Sequence, residues 1–214
     1  MNTETPPSPD PVVADILAVA TQEFAQHGLA GARIERIQQC TRTSKRMVYY
    51  HFGSKEGLYR AVLEHAFETA RQADQGFDPS AGTPEDALRQ MVSNAFEAFV
   101  SNPAFVRLLT FENLGGAPFI RGSEHVSRLN RQAIADLQHI LERGQHAGVI
   151  RPQLNPMDVY ITMVGLCFYH VAHQPGYEAG GFEKADTGHI RTSAFHQQRK
   201  QAIQDTCWCY VQMR

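Results

Sequence analysis

The stretch from Arg33 to Leu58, RIERIQQCTRTSKRMVYYHFGSKEGL, constrains the fold more than any other part of the chain. It reads as two short helices, a tight turn and the start of a third helix. Ile34, Ile37 and Cys40 or Thr41 recur every three or four residues, so they share one helix face, which is expected to be buried. After a turn at Arg42 and Thr43, Ser44 is placed to cap the next helix, its hydroxyl accepting from a backbone N–H that would otherwise be unpaired. At about 100° per residue, Lys45, Arg46, Tyr49 and Tyr50 fall on one side of that helix and Met47 and Val48 on the other. Cations beside outward phenols suit a helix lying against DNA, where cations meet phosphates and purine edges and rings meet sugars and methyl groups.

Charge points the same way. Between Arg33 and Arg60 there are seven Lys/Arg (33, 36, 42, 45, 46, 55, 60) against two Asp/Glu (35, 56), a local net of +5 in a chain of net −2. The basic character is confined to the stretch that carries the outward tyrosines, as a nucleic-acid footprint would be. A solvated helical hairpin with a chance cluster of charge is the alternative, and it leaves the tyrosines unexplained.

The run SKRMVYYHFGSKEGLY, from Ser44 to Tyr59, resembles the helix-turn-helix of TetR-family transcriptional regulators. There a Y-x-H-F or Y-Y-H-F run closes the recognition helix and F-x-x-K-E-x-L opens the next. The likeness is close over about 50 residues, from Asp10 to Tyr59; beyond them it is one of helical plan and length. It implies that Lys45, Arg46, Tyr49, Tyr50 and His51 contact bases or phosphates, and that Lys55 reaches a phosphate. Arg33, Thr43 and Ser44 complete the candidate set. Two positions depart from the family's habit: Ala32 and Arg33 stand where threonine is frequent, and Arg42 stands where the turn usually has glycine. A positive φ at Arg42 would be strained.

A chain of 214 residues with 43% apolar content can form one large domain or two small ones. The start, MNTETPPSPDP, has neither a cationic segment nor an apolar run, and no stretch of about 18 apolar residues could span a membrane, so a cytoplasmic protein is expected. Cys40, Cys167, Cys207 and Cys209 are too few and too irregular for a disulfide framework, so buried, reduced thiols are expected. Cys207-Trp208-Cys209 would point its thiols to different sides of a helix, and His170 and His173, three apart, lack a completing carboxylate or cysteine, so neither makes a metal site. No nucleophile elbow, phosphate loop, dinucleotide glycine pattern or H-E-x-x-H occurs, so neither an enzyme nor a cofactor is expected.

In chain order, residues 1–9 are polar and Pro-rich, hence an expected disordered tail. Asp10-Pro11 starts a helix with the stripe Val13, Ile16, Leu17, Ala20 and Phe24, and Gly28 ends it. Ser54 caps a helix bearing Leu58, Ala61, Val62, His65, Ala66 and Thr69, running to about Gln75. Thr83-Pro84, Asn102-Pro103, Ser123 and Asn155-Pro156 are further start signals. Helices follow with Leu88, Met91, Val92, Ala95, Phe96 and Phe99; with Phe105, Leu108, Leu109 and Phe111 before the Gly115-Gly116 stop; and with Val126, Leu129, Ala133, Leu137, Ile140 and Leu141. Residues 157–173 are apolar nearly all round, so one side is expected against core and cavity and another against a partner subunit. Pro175 to Gly188 reads as a mobile loop, and a last helix, about Thr192 to Met213, with Phe195, Ile203, Cys207, Tyr210 and Val211, would complete a dimer bundle. No strand period or repeat is evident, and the expected fold is all-α with about nine helices.

The expected organisation is a helix-turn-helix domain over residues 10–54 and an effector-binding and dimerisation domain over residues 55–214. The apolar 157–173 helix and the last helix predict a homodimer, and its two-fold symmetry predicts an approximately palindromic operator in double-stranded DNA; the resemblance implies a repressor released by a small-molecule effector. Phe96, Phe99, Phe111, Met163 and Phe168 are candidate walls of the effector cavity, with Asn113, Tyr169 and His170 as polar contacts. A helical protein-interaction module, or a small-molecule-binding protein without DNA, is the alternative, and it does not account for the +5 stretch.

Overall fold

A computed structural model describes residues 10–180 and 192–213. The predicted tail, and residues 181–188 of the predicted loop, lie outside the described residues. Eleven α-helices form the described chain, with no strand among the described residues beyond a single antiparallel bridge between Ile150 and Gln212. The two helices beyond the expected count are short: Pro118–Arg121 and Gln174–Ala179, the latter starting one residue before the stretch expected to be a loop and running into it. Residues 10–66 pack with Arg107–Gly122 as one compact unit, and Phe67–Val106 with residues 123–213 as another. The boundary drawn at 54/55 from the motif falls inside the first unit.

In the first unit, α1 (Pro11–Gly31) begins at Asp10, whose Oδ1 accepts from Val12 N at 2.9 Å. It breaks at Gly28, whose φ of 63° and ψ of 178° end the regular helix and leave one further turn. A Cβ at Gly28 would also stand 3.1 Å from the ring of Phe111, so backbone and packing both require glycine. α2 (Ile34–Cys40) buries Ile34 and Ile37 but leaves Cys40 exposed, because the chain turns out of the helix there. α3 (Lys45–Phe52) and α4 (Lys55–Arg71) follow, separated by Gly53 at φ 73°. Arg42 does not adopt a positive φ, so the feared strain is absent. Ile16, Ala20, Phe24, Ile37, Val48 and Leu58 are almost wholly buried around an edge-on Phe24–Tyr59 pair at 5.0 Å. Each of these side chains other than Ala20 stabilises the unit by about 1.5 to 3 kcal/mol.

α6 (Pro103–Leu114) ends in this unit and α7 (Pro118–Arg121) follows it. Glu112 is buried and accepts from Phe119 N and Ile120 N at 3.2 and 3.3 Å, capping α7 from a distance. Burial, and then the Glu112 charge, push up the pKa of the buried Tyr59 hydroxyl. On α4 the burial is wider than the predicted stripe: Tyr59, Leu63, Phe67 and Ala70 join Leu58, Val62 and Ala66, while His65 is exposed.

In the second unit, α5 (Pro84–Val100) starts from a capping box between Thr83 and Asp86. It packs on α8 (Glu124–His146), α9 (Pro156–Ala172) and α11 (Ser193–Val211), and α10 (Gln174–Ala179) packs on α9. Arg71, the last residue of α4, donates to Tyr160 Oη at 3.0 Å, Asn130 Oδ1 at 3.3 Å and Asp74 Oδ2 at 3.3 Å, which ties α4 to α8 and α9. Ile203, Cys207 and Val211 of α11 are buried within the chain. They are therefore core here and not the free stripe expected of that helix, because α5 and α9 already cover them. Cys167 and Cys207 are buried free thiols, whereas Cys40 and Cys209 are exposed and free.

Candidate nucleic-acid interface

The outward face of α3 is set by three local features. Ser44 Oγ accepts from Met47 N at 3.3 Å, which fixes the first turn. Val48, 1% exposed, anchors the inner side, and Met47 beside it is half-buried. Gly53 N donates to Tyr49 O at 2.8 Å and closes the last turn. With those fixed, Lys45, Arg46, Tyr49 and Tyr50 are all exposed, Tyr50 by 78%. A phenol that bare on a helix of eight residues is turned to solvent and not into the core.

Lys45 is occupied: its Nζ lies 2.5 Å from Glu35 Oε1 and 6.0 Å from the centre of the Tyr49 ring. Their hydrogen bond holds the Glu35 carboxyl below its usual pKa and the Lys45 ammonium above its own. Arg46 has no hydrogen bond or ion pair among the described residues, so its five donors are open. Lys55 begins α4 beside Ser54, whose Oγ accepts from Gly57 N at 2.9 Å. The resulting arrangement places one paired cation, one open guanidinium and two phenols on one face, with Lys55 at the adjoining helix start.

The remaining candidates differ in posture. Arg33 is exposed and its backbone N donates to Glu23 Oε1 at 3.0 Å; Thr43 is half-buried; Ser44 spends its acceptor on the cap. His51 is turned inward, its ring edge-on to Tyr50 at 5.2 Å and its Nε2 buried with no hydrogen-bond partner among the described residues. It supports Tyr50 from behind.

The effector candidates divide. Phe96 of α5 and His170 of α9 stack at 5.2 Å and 18°, both nearly inaccessible. Phe99 meets Phe168 edge-on at 5.8 Å, and Met163 is buried. Phe111 and Asn113 are not brought to this cluster: both are exposed and belong to the first unit, where the Phe111 ring covers Gly28. Tyr169 also faces elsewhere, 48% exposed and stacked on His173 at 3.8 Å, since one residue's step along a helix turns it away from His170. Sequence reading missed Phe195 and His196 of α11, whose rings lie 5.8 and 5.3 Å from His170. No local signal could have paired residues of two different helices.

A separate recess of about 370 Å³ is lined by Phe77, Asp78, Asp86, Gln90 and Asn94 among others, and by none of the predicted residues. Its buried Asn94 is already paired, with Gln90 and with Asp74. Among the described residues no group of His, Cys, Asp or Glu could hold a metal ion, and no helix is long and apolar enough to cross a membrane.

Residues 16–62 match the family described as bacterial regulatory proteins, tetR family, and residues 84–205 match the tetracyclin repressor-like C-terminal domain. The chain is 35% identical over 156 residues to the HTH-type transcriptional repressor NicS of Pseudomonas putida, covering 73% of this chain and 74% of that one. It is 28% identical over 165 residues to the HTH-type transcriptional repressor SCO4008 of Streptomyces coelicolor, covering 76% and 80%. A crystal structure of the transcriptional regulator SCO4942 from Streptomyces coelicolor superposes with a TM-score of 0.69 at 28% identity, covering 94% of this chain and 98% of that one.

Proposed function

This chain belongs to the TetR family of bacterial transcriptional regulators, and on that premise we propose that it represses transcription from an approximately palindromic operator and leaves it when a small molecule binds the second unit. That it is a DNA-binding regulator with an effector-binding domain follows from the two matched segments. The observation that carries the finer reading is the bare face of α3, with Val48 buried behind it.

In this reading Arg46 reads bases, because an unpaired guanidinium offers the fork that matches a guanine edge. Lys45 leaves Glu35 for the DNA, and Tyr49 and Tyr50 press on sugar or methyl groups. Lys55 holds a phosphate at the start of α4, with Arg33, Thr43 and Ser44 at the flanks. Residues 10–54, with Lys55 at the start of α4, serve as the DNA-reading part, and the second unit serves as the effector and dimer part. Met157, Ile161, Gly165 and Tyr169 of α9 recur every fourth residue and are all exposed, so they form the stripe that meets a second subunit. Phe96, Phe99, Met163, Phe168 and His170 line the effector side.

The test is selection of duplexes from a random pool at raised salt, with light scattering on the free protein. One approximate palindrome and a dimeric mass are expected. A pool without consensus, or a monomer at micromolar concentration, contradicts the reading.

A further inference from the structure

The aromatic cluster of the second unit contains two polar groups that the fold leaves unanswered. His170 is 2% exposed, yet its Nε2 has no hydrogen-bond partner among the described residues. A buried ring nitrogen without a partner is desolvated and unrewarded, a condition that a hydrogen-bonding ligand relieves. Arg199 stands one helical turn beyond His196 on α11, is half-buried, and pairs with no carboxylate among the described residues. Other cations near it on the bundle are matched: Lys200 with Glu97, and Arg89 with Glu85 and Asp205. The Arg199 charge reaches α9, where it opposes protonation of His170 and favours the Cys167 thiolate.

Around these two groups the surfaces are flat. Phe96 lies parallel to His170 at the floor, Phe195 is tilted against it, and His196 stands perpendicular to it at 88°. Phe195 and His196 are only half-buried, so among the described residues the cluster is accessible on the α11 side. Its upper rim is held by Gln174 Nε2, 3.2 Å from His196 Nε2.

We propose that α9 and α11 form a receptor for a small organic carboxylate with a flat apolar body, its carboxylate on Arg199 and accepting from His170, and its body against the half-buried rings of Phe195 and His196. This rests on the reading of the second unit as effector-binding and names the chemistry of the effector. A planar guanidinium with no counter-ion among the described residues binds a carboxylate in a bidentate geometry, which a neutral or cationic ligand does not use. The rings select a flat body over a branched one.

The probe is benzoate, titrated calorimetrically into the full chain beside two molecules of similar shape, neutral benzamide and cationic benzylammonium. Benzoate is expected to bind at least about tenfold more tightly than either, and Arg199→Gln to weaken it by about tenfold or more, a change of about 1.4 kcal/mol per tenfold. Arg199→Lys should keep part of the affinity, and an unaltered melting curve should show that both variants fold. Equal binding of benzoate and benzamide, benzoate binding unchanged in Arg199→Gln, or no binding of benzoate at millimolar concentration each overturns the proposal. Benzoate that binds through Arg199 without altering operator affinity keeps the carboxylate site and contradicts instead the effector reading.

Discussion

α3 and α9 are built on opposite plans. α3 keeps one anchor, Val48, inside and turns its chemistry outward, whereas α9 buries Val159, Met163, Cys167 and His170 and exposes mostly apolar residues. On α3 each candidate group is set by its own exposure, so eight consecutive residues specify the face. On α9 the histidine acquires its setting from Phe96, 74 positions earlier, and from Phe195 and His196, about 25 positions later. A surface for DNA can be written in one helix; a receptor for a small molecule must be assembled from several.

The largest expected effect breaks the support beneath the first plan. Phe24→Ala removes a ring that is wholly buried against Tyr59 and should destabilise the fold by about 3 to 5 kcal/mol in urea unfolding, far more than any substitution on the outer face of α3. A loss below 1 kcal/mol would mean that the α3 platform does not rest on this pair.

A second test uses His170. Burial, then His196 and Arg199, lower its pKa from the usual 6.5 to about 4. The unfolded chain therefore binds a proton that the folded chain refuses, so stability is full above about pH 6.5 and falls as the pH drops toward 4. Between pH 6.5 and 5 the loss should be about 1.5 kcal/mol, and His170→Phe should remove most of it. Stability that rises on acidification would show His170 protonated in the fold. Thr83→Ala should cost about 1 kcal/mol by removing the α5 capping box, with operator affinity unchanged. The smallest expected change in stability is that of Glu35→Gln: the melting curve should stay in place while binding to DNA of any sequence strengthens, because Lys45 is released from its carboxylate.

The contrast between the two helices also explains what could be read beforehand. Caps at Asp10, Ser44, Ser54, Thr83, Ser123 and Asn155 were legible because each is a bond between residues two or three apart. So was the outer face of α3, which follows from periodicity alone. Spacing could not show that Phe111 would cover Gly28, that Glu112 would be buried to cap α7, or that Ile203, Cys207 and Val211 would be spent inside the chain. All three depend on which helices become neighbours. Arg42 misled in the opposite direction: the family habit of glycine suggested strain, but its backbone N donates to Asp15 Oδ2 at 3.0 Å in an unstrained turn.

The central claim is that α3 reads sequence while Lys55 only holds the backbone. It is tested most directly by measuring Arg46→Ala and Lys55→Ala on operator and on scrambled duplex across a salt series. Arg46→Ala should cost about 1 to 3 kcal/mol on operator and much less on scrambled DNA. Lys55→Ala should weaken both alike and make the salt slope shallower by about one unit, since one phosphate contact releases one counterion. Equal losses on the two DNAs for Arg46→Ala, or undiminished binding in both variants, would contradict the account.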